Sequence, residues 1–149
     1  RLVAALSSFA AAAISGEGPR WAILAPPYGG IDAKGRPGLY SVHVRALRRR
    51  GFSVALVTPP YHGVRAPPQG SGWGFVRADL GHTGRTLALA ATEVATLARV
   101  LRDKRGATTL VGWGISLGGA SVGLAAALGA PFDRVAFLAA VAARQPLPH

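Results

Sequence analysis

The sequence predicts an α/β fold, a three-layer sandwich in which a mostly parallel sheet carries helices on both faces. Three observations predict it. Short apolar runs alternate along the chain with longer segments of helical spacing. The apolar runs do not alternate with polar residues, as expected of strands covered on both sides. Glycine or proline closes nearly every segment, which gives each element a defined end.

The regular pattern begins after Pro19. Trp21–Ala25 is an apolar run closed by Pro26-Pro27 and reads as a buried strand. Leu39, Val42, Ala46 and Leu47 fall at helical spacing, with Gly51 where a capping glycine belongs. Phe52–Val57 reads as a second strand, ended by Thr58-Pro59-Pro60. A loop over residues 59–76 carries Tyr61, Trp73 and Phe75 among many glycines and prolines, and loops of this length in a compact domain are usually functional or disordered. Leu87, Ala90, Val94, Leu97 and Leu101 form one apolar helical stripe, and Gly106 ends that helix. Thr108–Val111 is a third strand, a small-residue helix reaches about Leu128, and Val135–Ala139 is a fourth strand. The order implies right-handed crossovers between parallel strands.

Residues 1–18 read as an N-terminal apolar helix, over Leu2–Ile14, or as the remnant of a secretory leader behind Arg1. Residues 19–149 read as the core of a single domain, incomplete at its C-terminal side. Methionine is absent even from position 1 and the sequence stops at Leu147-Pro148-His149, so it reads as a segment of a longer open reading frame. A sheet that stops at its fourth strand leaves an open edge, so self-association through that edge is expected.

Half of the residues are apolar, which excludes a disordered chain. The formal charge of +11 comes almost wholly from arginine, since only Lys34 and Lys104 are lysines. Such a charge suits nucleic acid through counterion release. The arginines are scattered, however, with Arg48-Arg49-Arg50 as the only run, and aromatic residues do not interleave with them. The charge therefore reads as a solvated surface, and no nucleic-acid partner is expected. With no cysteine, disulfides, thiol nucleophiles and cysteine metal sites are excluded. No apolar run reaches the ~20 residues of a membrane span. The compartment is not fixed by the sequence, with cytoplasmic favoured over secreted.

The chemistry concentrates at Gly114-Ile115-Ser116-Leu117-Gly118, a G-x-S-x-G pattern. Five residues alone are a weak signal, and the setting carries the argument. A strand ends just before the pattern and a helix begins just after it, the setting of a nucleophile elbow. The turn has to be tight enough to strain the serine backbone, so Gly114 and Gly118 must be small, while Gly119, Ala120 and Gly123 let the helix lie close to the sheet. Ser116 then stands at a helix N-terminus, where the dipole favours negative charge. The Leu117 N–H points at the oxyanion that forms when Ser116 attacks a carbonyl. A second donor is expected from Pro26-Pro27-Tyr28-Gly29-Gly30, first from Gly29 and next from Tyr28.

These residues carry a resemblance. Pro26-Pro27-Tyr28-Gly29-Gly30, Pro60-Tyr61-His62-Gly63 and Gly114-Ile115-Ser116-Leu117-Gly118-Gly119 together resemble the α/β-hydrolase superfamily, in particular its esterase-like abhydrolase-domain proteins, over roughly residues 20–140. The resemblance implies the fold from its third strand through its sixth. It also implies a triad in the chain order Ser, acid, His. This sequence departs from that pattern. After Ser116 its only carboxylate is Asp133, before a strand and so at the opposite sheet edge, and its only histidine is His149, at the chain end. Neither fits a triad. A serine without its base is a weak nucleophile, so residues 1–149 alone are expected to be inactive while the longer protein is a carboxylic-ester hydrolase.

Other residues have two readings each. His62 lines the substrate mouth or fixes its loop through a backbone hydrogen bond. Trp113 touches substrate or packs in the core. Trp73 and Phe75 form an apolar lid suited to an ester or lipid-like substrate, or anchor their loop. His43 reads as structural and His82 as an end-of-helix or surface residue. No metal or organic cofactor is implied. Two other functions compete: a non-catalytic binding module of the same fold, and a dinucleotide-binding domain built on Gly112-Trp113-Gly114 and Gly118. The second lacks the acidic residue expected after the next strand, where alanine, valine and Arg144 stand.

Overall fold

The computed structural model describes residues 12–138 apart from 33, 35, 37 and 39. Five strands and three helices follow in the order β1 (Ala12–Ser15), β2 (Arg20–Ala25), α1 (Tyr40–Arg49), β3 (Ser53–Val57), α2 (Leu80–Arg105), β4 (Thr109–Ile115), α3 (Leu117–Ala127) and β5 (Arg134–Leu138). A single 3-10 turn, Gly63–Arg65, interrupts the loop between β3 and α2. The sheet order is β1-β3-β2-β4-β5. β2 pairs in parallel with both β3 and β4, and β4 pairs in parallel with β5.

β2 lies at the centre, and its composition explains why. Trp21, Ala22, Ile23 and Leu24 are all fully buried, because both faces of this strand are covered. Trp21, Ile23 and Ala25 face the larger core, with Val94, Leu97, Ala98 and Leu101 of α2 and Val122 and Ala125 of α3. Leu24 packs in a second core on the other face, with Tyr40, Val54 and Leu56, against which Val44 and Leu47 of α1 rest. Two helices on one face and one on the other make the three layers the sequence predicts.

The ends of the elements have local causes. α2 starts where the Asp79 side chain accepts from the His82 N–H at 3.1 Å, and it stops at Gly106, whose φ of 62° is the left-handed conformation that favours glycine. The helix begins a full two turns before the apolar stripe that announces it, because Gly81 and Gly84 blur the pattern there. Asp133 accepts from the Leu110 N–H at 2.7 Å and pairs with Arg102 at 2.6 Å, so it sits at the start of β4. This is the edge away from Ser116, as expected. The Arg102 hydrogen bond, then the Leu110 N–H, hold its carboxyl below the usual carboxylate range.

One expectation is corrected. Ala12–Ser15 is not the end of an N-terminal helix but a strand, antiparallel to β3 with Ala12 opposite Val57 and Ser15 opposite Val54. Alanine favours helix in isolation, but here the free edge of β3 offers hydrogen bonds and Ile14 packs on the core. The rest of the 1–18 reading, residues 1–11, lies outside the described residues.

Two leucines of α2 test this packing. Leu101 is fully buried and Leu89 is 48% exposed. Leu101→Ala is expected to cost about 2–5 kcal/mol and Leu89→Ala less than about 0.5 kcal/mol, read from urea midpoints.

Candidate active site

β4 ends at Ile115, α3 begins at Leu117, and Ser116 alone makes the turn. Its φ of 51° and ψ of −116° lie outside the regions open to ordinary residues. Such a conformation costs on the order of 1–3 kcal/mol and persists only where neighbours impose it. The neighbours are identifiable. The Ser116 N–H donates to Leu138 O at 2.9 Å and its carbonyl accepts from the Ala120 N–H at 3.1 Å. A Cβ on Gly114 would overlap the backbone of Gly118 and Gly119, and one on Gly118 would run into the carbonyls of Ala25 and Pro26. Gly119 and Gly123 are less constrained, since a Cβ there would meet nothing nearer than 3.4 Å.

Ser116 is exposed and Leu117 half-buried. As the first residue of α3, Leu117 has an N–H with no partner inside the helix. An open groove of about 300 Å³ runs beside the serine, lined by Ser116, Gly119, Ala120, Gly123, Phe137 and Leu138. Among the described residues no hydrogen bond reaches the Ser116 hydroxyl, and no group of three or more potential metal ligands occurs. His149 lies outside the described residues.

The loop after β2 forms a tight turn, with the Gly30 N–H donating to Pro27 O at 2.9 Å and Gly29 at φ 69°. The Gly29 N–H is not available to a substrate, because it donates to His62 Nε2 at 3.1 Å. Gly29, the first choice as second oxyanion donor, therefore has its N–H engaged within the chain in this structure. Among the described residues the Tyr28 N–H carries no hydrogen bond, so Tyr28 is the donor the turn leaves free.

His62 is fully buried and does not line a substrate mouth. Its Nδ1 lies 2.8 Å from Pro60 O, so both ring nitrogens are engaged by backbone. Trp113 is on the α1 side of the sheet, next to His43 at 5.8 Å between ring centres. There it lines a cavity of about 290 Å³ with His43, Ala46, Leu47 and Arg50. It packs in the second core rather than beside the serine. Trp73 is 58% exposed and shares a cleft of about 340 Å³ with Tyr28, Gly74, Val76 and Arg77. Phe75 is fully buried against His62, 5.7 Å between ring centres, so it anchors the loop and is no part of a lid. His82 Nε2 donates to Gly74 O at 2.7 Å, and the residue stands in the first turn of α2, at the helix end as expected.

Gly112 and Gly114 belong to β4, opposite Ile23 and Ala25 in the ladder. They are strand residues, so they do not form the turn that a dinucleotide phosphate loop requires.

Sequence reasoning missed Tyr40. Its hydroxyl donates to Ala25 O at 3.0 Å, directly behind the turn that carries Tyr28, and burial raises its pKa so that it stays protonated. Helical spacing marks position 40 only as a helix start, and nothing local indicates a partner on β2. A cavity of about 400 Å³ lies next to it, bounded by Pro27, Gly29, Gly30, Gly38, His43 and Ile115.

No family model and no curated protein matches the chain. Among solved structures, the PEG-bound complex of a novel cold-adapted esterase from an Arctic intertidal metagenomic library is similar, with a TM-score of 0.59 over 85% of this chain at 18% identity. The likeness shows the fold. It is a partial α/β fold, a mostly parallel sheet flanked by helices, and this chain spans about half, 53%, of that esterase's length. No helix among the described residues is long and apolar enough to cross a membrane.

Two predictions follow from the geometry. Gly118→Ala is expected to destabilise by at least about 1–3 kcal/mol in thermal or urea melts, because backbone rather than a mobile side chain blocks the new methyl. The second concerns pH. Burial holds the His62 pKa below its ordinary 6.5, partly offset by the Pro60 carbonyl. The folded state therefore favours the neutral ring, and its contribution is complete above 6.5 and lost as pH falls from there through the folded pKa. The urea midpoint of the wild type should drop on acidification below pH 6.5, and that of His62→Gln should drop less.

Proposed function

We propose that the full-length protein is a serine hydrolase that cleaves a carboxylic ester, or a related acyl bond, through an acyl-enzyme on Ser116. The observation that carries this reading is the backbone of Ser116, held at φ 51° and ψ −116° between a strand and a helix, with its side chain exposed. Strain at a single polar residue, enforced by two glycines that backbone atoms surround, is expected of a displayed nucleophile.

In the proposed reaction the Ser116 oxygen attacks the carbonyl carbon while its proton passes to a histidine base. The carbonyl oxygen takes up the negative charge between the N–H groups of Leu117 and Tyr28. Collapse expels the alcohol, which takes the proton from the histidine, and leaves the acyl group on Ser116; water then repeats the sequence to release the acid. The acid and histidine of the triad lie outside residues 12–138, and residues 1–149 by themselves do not turn over ester. The apolar groove with Phe137 and Leu138 favours an ester or lipid-like small molecule.

A fluorophosphonate probe tests the reading. The full-length protein should be labelled at Ser116, with labelling abolished and ester hydrolysis reduced at least about a thousand-fold in Ser116→Ala. A folded full-length protein that takes no label is a binding module and not an enzyme.

A further inference from the structure

A buried histidine sits beneath the turn in which, among the described residues, the Tyr28 N–H carries no hydrogen bond. The Gly29 N–H is a donor, so His62 Nε2, 3.1 Å away, must be its acceptor. The ring proton then resides on Nδ1 and is given to Pro60 O at 2.8 Å. One neutral tautomer satisfies both bonds. We propose that His62 is a positioning residue for the oxyanion site: it holds the Gly29 N–H and packs against the Tyr28 ring, so residue 28 is fixed through its side chain and its following peptide, and its own N–H, in the Pro27–Tyr28 peptide, stays aimed at the carbonyl that Ser116 attacks. This rests on the reading of Ser116 as nucleophile.

The grip has a purpose in the turn itself. The central peptide of a four-residue turn is the one that flips between turn types, and glycine at the third position removes the steric barrier to either state. A hydrogen bond from the Gly29 N–H to a fixed ring selects one orientation. The ring is fixed in turn: Tyr28 meets it edge-on, 5.5 Å between centres at 89°, and Phe75 packs on another side. Gly72 closes over both, at φ 90°, where a Cβ would come within 3.0 Å of the Tyr28 ring and 3.2 Å of His62 Nε2. The same loop holds the far end of the turn, since the Ser71 hydroxyl donates to Ile31 O at 2.5 Å and accepts from the Gly63 N–H at 3.1 Å.

An oxyanion donor acts through its placement before the reaction begins, so a residue that places it affects turnover more than binding. With both nitrogens engaged and no exposed surface, His62 has no free position from which to serve as the base.

The experiment uses the full-length protein, a p-nitrophenyl ester and three variants. Glutamine can present an acceptor near the place of Nε2, asparagine is too short to reach it, and leucine has none. His62→Leu should lower kcat about 10- to 100-fold with KM little changed, and should speed hydrogen exchange of the Gly29 amide. His62→Gln should restore most of both, and His62→Asn neither. If His62→Leu does not fold, the Gln and Asn pair carries the comparison. A folded His62→Leu with wild-type kcat, a loss confined to KM, or equal losses in Gln and Asn overturns the proposal while Ser116 labelling stands. A wild type that neither labels nor hydrolyses overturns the reading of the site and this proposal with it.

Discussion

The site depends on one close approach, the α carbon of Gly118 against the carbonyls of Ala25 and Pro26. It brings the first turn of α3 onto the end of β2 with no side chain between them. Two consequences follow. Ser116 is squeezed into a turn that its own preferences reject, and the free N–H at the start of α3 comes near the turn that follows β2. Gly114 completes the squeeze from the other side, against Gly118 and Gly119. The strain is local and of order a few kcal/mol, and the apolar packing of Trp21, Ile23, Leu101 and Val122 below it supports it.

The long loop after β3 is a built part of this arrangement. Arg65 meets the nearly buried Glu93 of α2 through two hydrogen bonds of 2.7 and 2.8 Å and also donates to Thr58 O at 3.1 Å. A paired, planar contact of this kind fixes direction as well as distance. With Phe75 buried and His82 tied to Gly74, the loop has a firm base on α2 from which His62 and Ser71 reach the turn after β2. Tyr40 braces the same turn from the α1 side through Ala25 O. The turn after β2 is thus held by contacts from three directions and not by the Pro-Gly composition of its own loop.

Much of this was legible in the sequence, for physical reasons that also mark where legibility ends. Buried parallel strands write themselves as unbroken apolar runs, so β2 and β3 were found nearly to the residue. The elbow was legible because tiny residues flank the serine. Ala12–Ser15 was misread because alanine records a helix preference while the partner edge of β3 lies forty residues away. The position of Trp113 in the chain leaves it between substrate and core, and strand alternation decides: Gly112 and Gly114 face α3, so Trp113 faces α1 and packs in the second core. His62 and Gly29 lie thirty-three residues apart, and their bond exists only once two loops meet. No local pattern announces it, and it engages the N–H of Gly29.

A crystal structure of the full-length protein with a phosphonate bound to Ser116 tests the central claim most directly, since the phosphoryl oxygen stands in for the oxyanion. The account predicts that oxygen at about 2.7–3.1 Å from both the Leu117 and the Tyr28 amide nitrogens, with the Gly29 amide still on His62. An adduct oxygen that points away from Tyr28, or one that draws the Gly29 amide off His62, would contradict it.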